Sequence, residues 1–186
     1  MHGMREWGRF FWGLFAVLFF VCAVPGIGWA GLQMGQVPSH VELKDKLGGR
    51  LDDTAWRSDE LTGKVHVLFY VDPDKKDLNN EASDALKKEA FPQDGFQSYA
   101  VINMAATWLP NFAISSSLKE KQKRYPTTIY VRDYKKTLVK AWGIADNNSD
   151  VLAFDKEGRL IFRKDGLLDA EDIKRLTALI REHLNR

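Results

Sequence analysis

Val65 to Asp77 reads VHVLFYVDPDKKD. Val65 to Val71 is mostly apolar, with β-branched and aromatic side chains, the composition of a strand buried on both faces. Asp72-Pro73-Asp74 then turns the chain sharply into a helical pattern. In an open α/β sheet, the place where a central strand hands over to its helix collects ligands and catalytic groups. Here that place carries aspartates and lysines, with neither a nucleophile nor a cluster of metal ligands. The stretch predicts the central strand of an α/β sheet and leaves its chemistry open.

Upstream, Val37 to Leu43 alternates as a strand would, Gly48-Gly49 suits a tight turn, and Leu51 to Trp56 suits a short extended return. Ser58-Asp59-Glu60-Leu61 predicts one capped turn, closed by Gly63. Downstream, Asp77 or Asn79 can cap a helix in which Ala82, Ala85, Leu86 and Ala90 fall at helical spacing. Ser98 to Met104 predicts a second buried strand, and Ala105 to Ile114 an apolar loop. Ser117-Leu118-Lys119-Glu120 matches a capping box, so a short polar helix is expected after it, stopping near Tyr125 ahead of Pro126. Thr127 to Arg132 predicts a third strand, followed by a turn at Asp133 to Lys136. Asp150 to Phe154 and Arg159 to Arg163 flank Asp155-Lys156-Glu157-Gly158, a hairpin signal. From Asp169 onward, Ile173, Leu176, Leu179, Ile180 and Leu184 form one helical stripe. Alternating elements joined by right-handed crossovers give one mixed sheet with helices on both faces.

The 186 residues are 45% hydrophobic and 28% charged, an ordinary globular composition. Residues 1–30 read as a signal peptide: Arg5 and Arg9 precede the apolar run Phe10 to Val24, and Gly28-Trp29-Ala30 offers a cleavage site. A retained anchor is the alternative, because apolar character continues to Leu32. The remaining domain, 31–186, is therefore expected to be exported, to the periplasm or an equivalent space, and to meet a membrane only through an uncleaved leader. The whole chain has 27 Lys and Arg against 25 Asp and Glu; removing Arg5, Arg9 and Glu6 leaves 25 against 24. A surface so near neutrality has no general attraction for nucleic acid. The local run Lys119 to Arg124 reads as a solvated helix face. The one cysteine, Cys22, lies in the leader. Residues 31–186 thus have no thiol for a disulfide, a nucleophile or a thiolate metal site.

These stretches carry a resemblance. Asp53 to Val71, with Gly63-Lys64 ahead of the strand, resembles the start of redoxin-type thioredoxin folds, and Ser149 to Gly166 resembles their final hairpin. The chain is more closely similar to the YtfJ family of exported, thioredoxin-like bacterial proteins. The similarity lies at Ile102-Asn103, Leu109-Pro110, Ile114 to Ser116, Tyr125-Pro126, Trp142, Val151, Asp155 and Lys164-Asp165-Gly166. It implies a thioredoxin-like three-layer sandwich and export, and it implies no particular reaction. Where working thioredoxins open their first helix with Cys-x-x-Cys, this chain has Asp74-Lys75-Lys76-Asp77. Where they carry a cis-proline before the last hairpin, it has Ser149.

Two functional readings follow. The first is a redox-inactive binding module for a protein or peptide of the envelope, using Asp72, Asp74, Lys75, Asp77, Trp108, Phe112, Asn147 and Ser149 at the carboxyl edge of the sheet. The second is an enzyme using carboxylates or a bound cation in the Asp72–Asp77 and Asp146–Asp150 loops. Asp72 to Asp77 lacks the alternate oxygen ligands, sixth-position glycine and late glutamate of a calcium loop. Neither a metal nor a cofactor is expected, and no catalytic residue is assigned. His40, His66 and His183 fall on separate elements, with His66 expected to point outward from its strand.

Overall fold

The computed structural model describes residues 31–186; the leader and Cys22 lie outside the described residues. In chain order the elements are β1 (Glu42–Leu43), β2 (Gly48–Arg50), β3 (Trp56–Arg57), β4 (Val65–Val71), α1 (Asn80–Glu89) and β5 (Phe96–Asn103). Then follow α2 (Asn111–Arg124), β6 (Thr128–Asp133), α3 (Thr137–Trp142), β7 (Ser149–Phe154), β8 (Leu160–Asp165) and α4 (Ala170–Leu184). Short 3-10 turns occupy Ser58–Glu60 and Pro73–Lys75.

The main sheet has the order β2-β6-β5-β4-β7-β8. β4, β5 and β6 run parallel; β7 is antiparallel to β4, β8 to β7, and β2 to β6. β4 is central, as its composition requires, and strand alternation divides its side chains between two cores. Leu68 and Tyr70 join Val101, Val131, Leu152 and Phe154 under Trp56, Leu138 and Trp142. Val65, Val67 and Phe69 face α1 and α4, meeting Leu86, Leu176 and Ile180. On that same face, Ala100, Ile102 and Tyr130 meet Ile114 and Leu118 of α2. The α4 stripe is seated by Asp169, whose side chain accepts from the Asp172 amide at 2.8 Å and satisfies an otherwise open helix-end donor. The hairpin at Asp155 to Gly158 and the stop at Tyr125 are where the sequence places them.

Four local expectations are corrected. Gly48-Gly49 forms no tight turn: it begins β2 and lies antiparallel to Arg132 and Asp133. At Gly48 the backbone has φ +144, and an added Cβ would sit 1.8 Å from the Arg132 carbonyl oxygen, so the glycine serves close approach. The extended stretch expected over Val37 to Leu43 pairs only at Glu42 and Leu43, with Arg57 and Trp56. α2 starts at Asn111, well ahead of Ser117, so Ser117 is interior and Pro110 precedes the first turn. The i,i+3 spacing of a capping box also occurs inside any helix. Ile114 and Leu118, one helical turn apart and both buried, are what hold this one to the sheet. His66 does not point outward: it is buried and stacks on Tyr99 with ring centroids 5.8 Å apart. Burial pushes its imidazole down to about 4, so it is neutral at physiological pH.

Candidate functional site

The carboxyl edge is built from three loops: one leaves β4, one leaves β5, and the third runs from α3 into the antiparallel β7. Asp72 follows β4 and donates its amide to the Asn148 carbonyl at 2.8 Å, joining the first loop to the third. Its carboxylate accepts from the Asp74 amide at 2.8 Å and starts the Pro73–Lys75 turn. Asp74 in turn accepts from the Thr107 hydroxyl at 3.2 Å, joining the first loop to the second. Thr107 also accepts from the Leu109 amide, which shapes the chain on either side of Trp108. Asp77 accepts from the Asn80 side chain at 3.1 Å and lies 3.5 Å from the Lys121 ammonium. Those contacts hold its carboxyl below the ordinary range.

The structure divides the sequence-derived candidates. Asp74, Lys75, Asp77, Trp108, Phe112 and Asn147 lie on the surface of this edge. Trp108 is 87% exposed and Phe112 75% exposed. Phe112 belongs to the first turn of α2 and is not in a loop. Asn147 has φ +56, a backbone conformation that asparagine tolerates well. Two candidates are not surface groups. Ser149 is buried, and its hydroxyl accepts from Asn79 at 3.0 Å. Asp72 is buried as well, and desolvation raises its pKa. Both hold the edge together and are unavailable for contact.

A polar row behind this edge escaped the local reading. Tyr70, Asn103, Asp133 and Asp150 are all buried, on four neighbouring strands. Each is in phase with strand neighbours in the Trp142 core: Leu68, Val101, Val131 and Leu152. Asp133 accepts from the Tyr70 hydroxyl at 3.2 Å and from the Lys135 and Leu138 amides at 3.0 Å, which anchors the start of α3. Burial and the Asp133 charge push the Tyr70 phenol well up. Asn103 donates to Asp146 at 3.0 Å, and Lys136 reaches the other oxygen of Asp146 at 2.7 Å. Asp150 sits opposite Tyr70 on one side and Asp165 on the other. Among the described residues neither Asp150 oxygen has a well-formed hydrogen bond, and the nearest donors are the Gly166 and Ala145 amides. Burial, with the Asp165 charge behind it, pushes Asp150 up to about 7, while the Gly166 and Ala145 amides and Arg163 pull the other way. The signal that could have found this row is strand phase, which puts all four polar residues on one face.

Chemically, the row is closed and the outer surface is open. Asp133 and Asp150 have no solvent exposure, so a substrate does not reach either carboxyl in this conformation. Among the described residues, no group of three or more His, Cys, Asp or Glu is placed to hold a metal ion. The accessible features are Trp108 and Phe112, with Asp74, Lys75 and Asp77 beside them.

The model of the family YtfJ_HI0045, described as a bacterial protein of unknown function, matches residues 36–183. The uncharacterised protein YtfJ of Escherichia coli K12 is 29% identical over 133 residues, covering 69% of this chain and 72% of that protein. An uncharacterised protein of Haemophilus influenzae is 30% identical over 129 residues, covering 67% and 70%. Among solved structures, the thioredoxin domain of a thiol-disulfide oxidoreductase from Bacteroides vulgatus aligns with a TM-score of 0.59 at 18% identity. That alignment covers 80% of this chain and 98% of the other. The pneumococcal exposed lipoprotein thioredoxin Etrx1 aligns with a TM-score of 0.54 at 18% identity, covering 77% and 99%. The fold is thioredoxin-like.

Proposed function

The chain belongs to the YtfJ_HI0045 family, and from that premise we propose that it is an exported, redox-inactive thioredoxin-like binding module. Its partner is a protein or peptide of the envelope, engaged at the carboxyl edge of the sheet. One observation carries this reading: Trp108 and Phe112, four residues apart, are 87% and 75% exposed at an edge whose loops are tied down by hydrogen bonds. Large aromatics held out to solvent on a rigid rim favour association, because burying them contributes strongly and the rim has little left to order. Redox inactivity is supported by composition. Thiol-disulfide exchange requires a thiolate, and residues 31–186 contain no cysteine. Export is supported by the leader pattern of residues 1–30.

Trp108→Ala, Phe112→Ala and Asp74→Ala are tested by crosslinking in the native envelope and quantifying what co-purifies. Each aromatic substitution is expected to reduce a specific partner by about tenfold or more. Each is also expected to change unfolding free energy by no more than about 0.5 kcal/mol, since both side chains are largely in water. Recovery equal to that of the unsubstituted protein in all three variants would overturn the assignment. For the leader, the intact mass of the secreted chain is expected to correspond to a start at Gly31; a retained Met1 would contradict it.

A further inference from the structure

The sheet face beneath α1 and α2 is incompletely covered. A groove of about 750 Å³ runs between the two helices, within the usual size of small-molecule sites. Its floor is Phe69, Ala100 and Ile102, and its walls include Leu86, Ile114 and Leu118. Those floor residues keep 5% to 9% of their surface open, whereas Leu68, Val101 and Leu152 on the opposite face keep 0%. The helices are clasped over this space by polar side chains. Lys121 donates to the Lys76 carbonyl at 2.8 Å, Lys87 to the Arg124 carbonyl at 3.1 Å, and Tyr125 to Asp84 at 2.8 Å. The two lysine clasps sit in water at the rim, where such bonds contribute little and exchange readily, and the Tyr125–Asp84 bond is partly buried.

The charge of the lining is one-sided. Among the described residues its charged lining groups are Lys76, Lys87 and Lys121. Just outside the lining, Asp77 lies 3.5 Å from Lys121 and Asp84 pairs with Arg124 at 3.2 Å, so the rim stays net positive through Lys76 and Lys87. The chain as a whole is balanced at 27 positive against 25 negative, so this bias belongs to the groove. An apolar floor under a cationic rim is complementary to a molecule that is apolar along its length and anionic at its head.

We propose that the groove binds a single-chain amphipathic anion, its hydrocarbon chain along Phe69, Ala100 and Ile102 and its carboxylate or phosphate head at the rim lysines. This inference does not rest on the partner edge, since Trp108, Phe112 and Asp74 are not among the lining residues. The full chain, purified without detergent, is titrated with cis-parinaric acid, followed by fluorescence. Bound probe is then displaced by dodecanoate, dodecyl phosphate and methyl dodecanoate. Saturable one-to-one binding is expected, and the uncharged ester should compete about tenfold less well than the acid. Octanoate, decanoate and dodecanoate should gain about fourfold in affinity per methylene while the chain still fits. A lead of dodecyl phosphate over dodecanoate would assign the head as phosphate, and the reverse order as carboxylate.

Ala113→Trp, which fills the groove from α2, is expected to weaken binding about tenfold. The exposed pair Lys76→Glu with Lys87→Glu should do the same and keep the near-UV circular dichroism unchanged. Absence of saturable binding, equal competition by ester and acid, or unchanged affinity in the folded lysine variant would each overturn the proposal.

Discussion

Asn79→Ala is expected to lower the unfolding free energy by about 3–5 kcal/mol, far more than removing one amide from a surface turn would cost. Asn79 occupies the position before the first turn of α1, yet its side chain does not cap that helix. It is buried and reaches across the carboxyl edge instead. Its amide nitrogen lies 3.0 Å from the Ser149 carbonyl, the Ser149 hydroxyl and the Gly166 carbonyl. Its oxygen accepts from the Leu168 amide at 2.9 Å. Two amide hydrogens are thus shared among three acceptors, and one carbonyl serves a buried N–H. One side chain thereby ties the start of α1 to the start of β7 and to the link between β8 and α4. Alanine would leave the buried Leu168 amide, the Ser149 hydroxyl and the part-buried Gly166 carbonyl without this partner, at about 1–3 kcal/mol each, while the Ser149 carbonyl keeps the Gly166 amide at 3.2 Å. Asn79→Asp should be at least as damaging near neutral pH, because a carboxylate cannot donate to the two carbonyls. Urea unfolding followed by circular dichroism measures both. A loss below about 1 kcal/mol for Asn79→Ala would show that the edge is held by something else.

Asp150→Asn is expected to act in the opposite sense, stabilising the protein by about 2–4 kcal/mol at pH 8 while changing little at pH 4. In the unfolded chain this carboxyl ionises near its ordinary value of 3.8, and in the fold near 7. Between those values the folded state retains a proton that the unfolded state has lost. Stability therefore falls as pH rises through that window. Below it both states are protonated, and above it both are ionised, so the slope disappears at each end. A displacement of about three pH units corresponds to about 4 kcal/mol. Asparagine matches the shape of the protonated acid and does not ionise, so the penalty is absent from the variant. Unfolding curves collected from pH 4 to pH 8 should slope downward for the natural protein more steeply than for the variant. Parallel curves would mean that Asp150 is ionised without cost, through donors other than those in this structure.

These two residues also mark where local reading stops. The run Val65 to Val71 announces a central strand because burial on both faces requires apolar residues at every position. The Asp155 to Gly158 hairpin and the Asp169 cap are legible because their signals act over a few residues. Asn79 carried a legible signal with the wrong meaning: asparagine before a helix suggests a cap, and its real partners lie 70 to 89 residues away. Ser149 lies at the start of β7, and its hydroxyl is turned inward by that same Asn79. Asp150 stands where the polar Asp146–Asp150 loop meets the strand to Phe154, and only the pairing with Tyr70 and Asp165 reveals it as buried. Gly48-Gly49 suggested a turn because glycine permits one, whereas the Arg132 carbonyl is what excludes a side chain there. The start of α2 was missed because Ile114 and Leu118 are held by the sheet, and tertiary burial outweighs a capping pattern. Trp108 and Phe112 were legible as a pair of aromatics, but their exposure depends on where α2 begins.

The association surface itself is tested most directly by site-specific photocrosslinking in living cells. Benzoylphenylalanine is placed in turn at Trp108, at Phe112 and, as a control, at Met34, which is 58% exposed. A discrete covalent adduct is expected from the first two positions, absent from Met34, and lost when Asp74→Ala is added. No adduct at Trp108 or Phe112, or the same adducts from Met34, would contradict the claim that this thiol-free edge is a binding surface.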